Sequence, residues 1–159
     1  MPRRRLGAVG HQVGVRLLEL CAYREGRGAK RRTEVLDALR FIHSVAWPQM
    51  FGKPADDLQQ AHACDDEFMI TDADLSVCRF VSVPRAYGGF HPGALVAGMV
   101  RGMLEAAGFP ARVSAHYVEP PAGGGAARPS ARRTTLLIKF GAAVMERQRA
   151  LDRAKAGGL

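Results

Sequence analysis

The stretch that decides the fold is His91-Pro-Gly-Ala-Leu-Val-Ala-Gly-Met-Val-Arg-Gly-Met-Leu-Glu-Ala-Ala-Gly-Phe-Pro-Ala-Arg-Val-Ser-Ala-His-Tyr117. Leu95, Val96, Met99, Val100, Met103, Leu104 and Ala107 recur at helical spacing. Pro92 suits a first helical position, Gly108 follows the last apolar residue as a C′ glycine, and Pro110 forbids continuation. Val113, Ala115 and Tyr117 then alternate as a strand does. Burying the six larger side chains of the helix is worth about 10–15 kcal/mol gross, as much as the whole net stability of a typical domain. The helix must therefore lie on a core. In an exposed helix Gly98 and Gly102 would each cost about 1 kcal/mol relative to alanine. Together with Ala94 and Ala97 they predict the close approach of another backbone.

Upstream, Leu6 to Tyr23 reads as a helix with Leu6, Val9, Val13, Leu17 and Leu20 on one stripe, widened by Leu18 and Cys21. A second helix over Thr33–Trp47 carries Val35, Leu36, Leu39, Ile42, Val45 and Ala46 on one face and Phe41 and Trp47 elsewhere, and Pro48 is expected to end or bend it. The turn Gly52-Lys-Pro-Ala-Asp-Asp leads into a predicted third helical piece reaching about Ala63. Phe68 to Thr71 and Cys78 to Val83 read as strands, the second closed by Pro84. Downstream, Thr134-Thr-Leu-Leu-Ile-Lys-Phe140 is apolar on both faces, as a central strand is, and is expected to pair antiparallel with Arg112–Val118. Ala142 to Lys155 reads as a last helix with a basic final turn. Between the two downstream strands, 119–133 holds no apolar side chain larger than Ala or Pro, which predicts a disordered loop insertion. The pattern predicts one domain over 6–155, of α+β class, with an antiparallel four-stranded sheet packed with helices.

The formal net charge is +8 and unevenly placed. Three arginines lie in Met1–Arg5 and five basic residues in Arg24–Arg32, whereas Lys53–Asp74 holds seven acids against one lysine. Such charge invites a nucleic-acid or anionic-membrane reading. The basic runs lack aromatic stacking platforms beside them, so nucleic acid is not expected as a partner. No run is apolar enough for a transmembrane span, and Met1–Arg5 is followed by no apolar h-region of a secretory signal. Cys21, Cys64 and Cys78 show no C-x-x-C spacing and read as free thiols in a reducing compartment.

Catalytic patterns are missing. Gly88-Gly-Phe-His-Pro-Gly93 has glycines but no lysine at the helix start, and Pro92 removes an N–H that a phosphate would use. His62, Cys64 and Cys78 can be drawn as metal ligands, yet no second pair stands at diagnostic spacing. The serines lack a nucleophile elbow, and His116 reads as a structural, hydrogen-bonded histidine. No enzyme activity, cofactor or metal is expected.

Six segments in order carry a family resemblance: Val13-Gly-Val-Arg16, Phe51-Gly-Lys-Pro-Ala-Asp56, Phe80-Val-Ser-Val-Pro84, Ala97-Gly-Met-Val100, Gly108-Phe-Pro-Ala-Arg-Val-Ser-Ala-His116 and Thr134-Thr-Leu-Leu-Ile-Lys-Phe140. Together they resemble the small subunits of the TRAPP (transport protein particle) vesicle-tethering complex, which share the Bet-three-like fold of the ligand-binding domains in NO signalling and Golgi transport. The resemblance spans roughly His11 to Asp152. Three features depart from it: only Met1–Arg5 stands where family members usually carry a further N-terminal helix, the Leu-Asn-Cys-Ala entry to the central helix is Phe90-His-Pro-Gly93 here, and 119–133 is longer than the usual turn.

The resemblance implies a structural, non-catalytic subunit of a complex that acts as nucleotide exchange factor for a Rab GTPase in ER-to-Golgi and intra-Golgi transport. It implies a cytoplasmic location, peripheral to the endoplasmic reticulum and cis-Golgi. Other small TRAPP subunits are the expected partners, notably a Bet-three-type subunit as heterodimer, with the Rab engaged through the assembled complex and the basic segments available to anionic membrane. The candidate partner surface comprises Leu6, Val13, Leu17, Leu20, Val35, Leu39 and Ile42. The alternative reading is an acyl-chain or small-molecule sensor of the same superfamily, with a pocket lined by Met99, Met103 and strand residues. The founding subunit has an acyl channel, but no motif assigns a modified thiol to Cys21, Cys64 or Cys78.

Overall fold

The computed structural model describes residues 2–26, 31–118 and 133–157. The order is α1 (Pro2–Glu25), α2 (Val35–Phe41), a π turn (Ile42–Ala46), α3 (Trp47–Phe51), β1 (Asp57–Gln60), β2 (Glu67–Asp72), the short α4 (Ser76–Arg79), a 3-10 turn (Arg85–Tyr87), α5 (Ala94–Ala106), β3 (Ala111–Val118), β4 (Arg133–Phe140) and α6 (Ala142–Ala156). One antiparallel sheet runs β1-β2-β4-β3. β3 and β4 pair from Ala111↔Phe140 to Val118↔Arg133, and β4 lies inside the sheet, as its two apolar faces predict. The fold is the expected α+β class, four antiparallel strands packed with helices. The disordered insertion expected at 119–133 falls outside the described residues, except for Arg133, which opens β4.

The core face of the sheet carries Phe68, Ile70, Ala115, Leu136, Ile138 and Phe140, all buried. They meet Val96, Val100, Met103 and Leu104 of α5 and Leu39, Ile42, Ala46 and Trp47 of the α2–α3 segment in one cluster. α5 ends in a Schellman motif. Gly108 takes a positive φ of 85°, its N–H donates to the Glu105 carbonyl at 3.0 Å, and the Phe109 N–H donates to the Leu104 carbonyl at 2.7 Å. Phe109 and Leu104 are both buried in the core cluster, and an apolar contact between these two positions frequently accompanies this motif.

Two elements differ from expectation. The predicted helical piece before Ala63 is the edge strand β1. Asp57-Leu-Gln-Gln has little intrinsic strand preference, but pairing from Asp57↔Thr71 to Gln60↔Phe68 satisfies its backbone, and that outweighs local propensity. The strand expected over Cys78–Val83 is absent: α4 occupies Ser76–Arg79 and irregular backbone follows, with Phe80 89% exposed. The sheet therefore has the predicted number of strands with one of them exchanged.

Smaller differences lie at helix ends. α1 is longer than Leu6–Tyr23, and α5 starts after Pro92 rather than at it. Pro48 neither ends nor breaks the second helix. The Trp47 N–H bonds back five residues to the Ile42 carbonyl, so a wider turn precedes the proline. A proline ring clashes with the carbonyl four residues back in a regular helix, and the π turn opens that space.

Candidate partner-binding surface

α1 has two working faces. Gly10, Gly14, Gly98 and Gly102 form its crossing with α5. A Cβ at Gly10 would overlap the Leu95 carbonyl oxygen, one at Gly14 that of Met99, one at Gly98 that of Gly7, and one at Gly102 that of His11. The backbones therefore touch, which is the close approach the sequence predicted for Gly98 and Gly102. His11 Nε2 lies 2.8 Å from Glu105 Oε2 across the same crossing.

With the glycine face turned to α5, the opposite face points outward. At about 100° per residue, Val9, Val13 and Leu20 fall within about 40° of one another on it. They are 56, 38 and 40% exposed, and Tyr23 at 85% extends the row. This stripe is the candidate partner surface of the helix.

The predicted surface residues divide into two groups. Leu6 is half-buried, Leu17 is half-buried and packs on the core, and Val13 and Leu20 are outward. Val35, Leu39 and Ile42 are 3, 0 and 1% exposed. The chain covers these three itself, so they are core residues and offer nothing to a partner in this conformation. Leu36, read from sequence as inward, is the exposed apolar residue of α2.

The polar clusters are structural. Asp72 is buried, and its carboxylate accepts from Trp47 Nε1, Lys53 Nζ and the Asp74 N–H, each at 2.9 Å. Asp56 accepts from the Ala73 N–H and also lies 3.6 Å from Lys53. The segment Phe51–Asp56 thereby ties the end of α3 to the end of β2. Partial burial alone would lower the Lys53 pKa; the hydrogen bond and charge of Asp72, with Asp56 behind it, outweigh that and raise it above 10.5.

His91 is buried, its Nδ1 accepts from the Gly93 N–H at 2.9 Å, and its ring stacks 3.7 Å from Tyr117. His116 is exposed beside Ser114 Oγ, 2.8 Å away. Among the described residues, Cys64, Asp66 and Glu67 bring their ligand atoms within 4.8 Å of one another. Lys139 already pairs with Glu67 at 2.7 Å and Asp66 at 3.6 Å, so an ammonium group supplies the positive charge there. His62 and Cys78 are not part of that cluster. Burial raises the thiol pKa of Cys21, against nearby Arg24, and that of Cys78, against a hydrogen bond from Thr134. Neither is an activated nucleophile.

Residues 2–141 match the family described as "Transport protein particle (TRAPP) component". The chain is 43% identical to trafficking protein particle complex subunit 5 of Dictyostelium discoideum, over 91% of this chain and 74% of that protein. It is 38% identical to the Homo sapiens subunit 5, over 93% of this chain and 71% of that one. A solved Naegleria fowleri subunit 3, covalently bound to palmitic acid, superposes with a TM-score of 0.66 at 19% identity, covering 87% of this chain and 80% of that one, which speaks to the fold alone. This chain belongs to the TRAPP component family.

Proposed function

We propose that this chain is a structural, non-catalytic core subunit of a TRAPP complex, and that it docks a neighbouring small subunit of Bet-three type on the outward face of α1. The observation that carries the reading is the stripe Val9, Val13, Leu20, left exposed while the opposite face of the same helix is packed backbone to backbone on α5. The polar groups support a scaffold role, since Asp72, Lys53 and the acids near Lys139 are all engaged in holding the fold. In this reading the assembled complex acts as exchange factor for a Rab GTPase in ER-to-Golgi and intra-Golgi traffic, from a cytoplasmic position peripheral to those membranes, and this subunit extends the core without touching the nucleotide.

The test is co-expression with a Bet-three-type subunit. Val13→Asp with Leu20→Asp is expected to cut recovery of the pair at least about tenfold, the effect of losing 1.4 kcal/mol, while circular dichroism of the isolated chain is unchanged. Full recovery of the pair with both aspartates present would sink the assignment.

A second reading, an acyl-binding chain, is favoured by one groove of about 510 Å³ between the C-terminal parts of α1, α2 and α5. Leu18, Phe41, Ile42, Met103 and Leu104 line it, with Arg31 and Arg32 among its polar residues. It contains Met103 but neither Met99 nor a strand residue, so it differs from the pocket expected on sequence. Intact mass spectrometry of the native chain decides this reading: an added acyl mass supports it, and its absence together with no extracted fatty acid removes it.

A further inference from the structure

The segment Phe80-Val-Ser-Val-Pro84 is one of the six family-bearing motifs, and neither the core nor the α1 surface uses it. Phe80, Val81 and Tyr87 are 89, 49 and 59% exposed. A shallow cleft of about 240 Å³ lined by Val81, Ser82, Val83, Pro84, Tyr87 and Phe90 joins the two sides of the loop into one patch. Tyr117 stacks on His91, which brings the end of β3 to this same end of the molecule. Tyr117 and Val118 are exposed there as well, 41 and 45%. Five of the ten large apolar side chains exposed among the described residues thus gather at one end, on a loop and a strand terminus.

The unpaired charge around them is positive. No Asp or Glu occurs from Leu75 to Leu104, a run whose loop part contains Arg79 and Arg85. Arg79 pairs with Asp74 and lies 5.9 Å from the Phe80 ring. Arg85 and Arg133, the latter opposite Val118 in the sheet, make no ion pair among the described residues. Exposed aromatic side chains on an irregular loop, with two unpaired arginines beside them, suit a lipid headgroup layer, where amphipathic rings settle and Lys and Arg meet anionic lipid.

We propose that the Phe80–Tyr87 loop, with Tyr117 and Val118, is a membrane-contact patch that inserts its aromatic tips into the surface of an anionic bilayer. The patch is separate from the α1 stripe, so its test does not depend on which subunit covers that helix.

The experiment is flotation of the full chain with vesicles of phosphatidylcholine containing 30% phosphatidylserine, against phosphatidylcholine alone. Binding is expected only to the anionic vesicles and to fall as salt is raised. Phe80→Ser with Tyr87→Ser is expected to abolish most of it, and Arg85→Glu to weaken it by at least about fivefold, the worth of one cation at such a surface. All three positions are exposed, so circular dichroism should be unchanged. Retained binding by the Phe80→Ser, Tyr87→Ser chain would assign the affinity to the other basic runs and overturn the proposal. So would absence of binding by the unaltered chain. A photoreactive benzoylphenylalanine at position 80, irradiated in the chain co-assembled with a Bet-three-type subunit on these vesicles, is expected to label lipid. Labelling of the protein subunit instead would make the patch a protein interface and end the membrane reading.

Discussion

The indole N–H of Trp47 donates to the Asp72 carboxylate at 2.9 Å in the interior of the protein, while Lys53 donates to the other oxygen of the same group. The carboxylate is fully withdrawn from water and held by three donors, so breaking the set should cost far more than a surface pair. Asp72→Ala is expected to destabilise the chain by about 3–5 kcal/mol, read as a lower urea midpoint at unchanged slope. A change below 1 kcal/mol would mean that the network is dispensable.

The same network sets a pH dependence. Lys53 has a raised pKa in the folded chain, so its contribution is fully present below the ordinary lysine value of 10.5 and is lost as pH climbs through the higher folded value. Lys53→Gln should therefore be less stable than the parent at pH 8, and the two should converge in strongly alkaline buffer. Urea titrations at both pH values check this, and a gap that widens with pH would contradict it. The ammonium is partly solvated, so the effect is smaller than that of Asp72→Ala.

Gly14→Ala and Gly98→Ala separate tertiary packing from helix propensity. In an isolated helix each change should help by about 1 kcal/mol. Here each new Cβ would run into backbone of the facing helix, which cannot give way as a flexible side chain can. Overpacking of this kind costs about 1–3 kcal/mol. A lowered melting temperature is expected for both variants, and a raised one would show that the crossing is looser than described.

Leu39→Ala tests the reassignment of the α2 residues. With no exposed surface in the parent, the side chain should leave a cavity and cost about 2–5 kcal/mol in the isolated chain. Leu20→Ala, on the outward face of α1, should change the isolated chain by less than about 0.5 kcal/mol. Thermal melts of the two variants give the comparison directly.

Alkylation distinguishes the thiols. Burial raises the pKa of Cys21 and Cys78, so little thiolate forms at each. Iodoacetamide at pH 8 is expected to label both slowly until urea is added, with peptide mass spectrometry as the readout. Fast labelling of Cys21 in the native chain would show that its site opens.

Much of this was legible beforehand because the controlling signals are local. Gly108 followed by an apolar residue announces a helix end, and Phe109 is buried in the same core cluster as Leu104. Gly98 and Gly102 announce a close crossing because nothing else offsets their cost. The failures come from choices the local sequence does not encode. Leu58 is the lone apolar residue of β1, so periodicity had nothing to act on, and pairing with β2 decided the matter. Phe80-Val-Ser-Val has strand-like composition, yet composition does not say whether a sheet edge stands beside it. Val35, Leu39 and Ile42 form the same stripe whether their own chain or another covers them, and burial alone separates the cases. The exposed stripe on α1 was readable as a stripe, but its separation from the glycine face needed the crossing itself.

The π turn before Pro48 acts on the helix as a phase shifter. Each residue of a regular helix advances the side chain about 100°, so one extra residue in a turn rotates everything after it relative to everything before. That rotation lets Leu39 and Ile42 face the core from one side of the turn while Trp47 reaches Asp72 from the other. Substitution of exposed Ser44 should therefore be tolerated. Deleting it should not: the helix would regain a regular turn, meet the Pro48 ring, and swing the indole away from its carboxylate. At this turn the length of the chain carries more information than the identity of the residues in it.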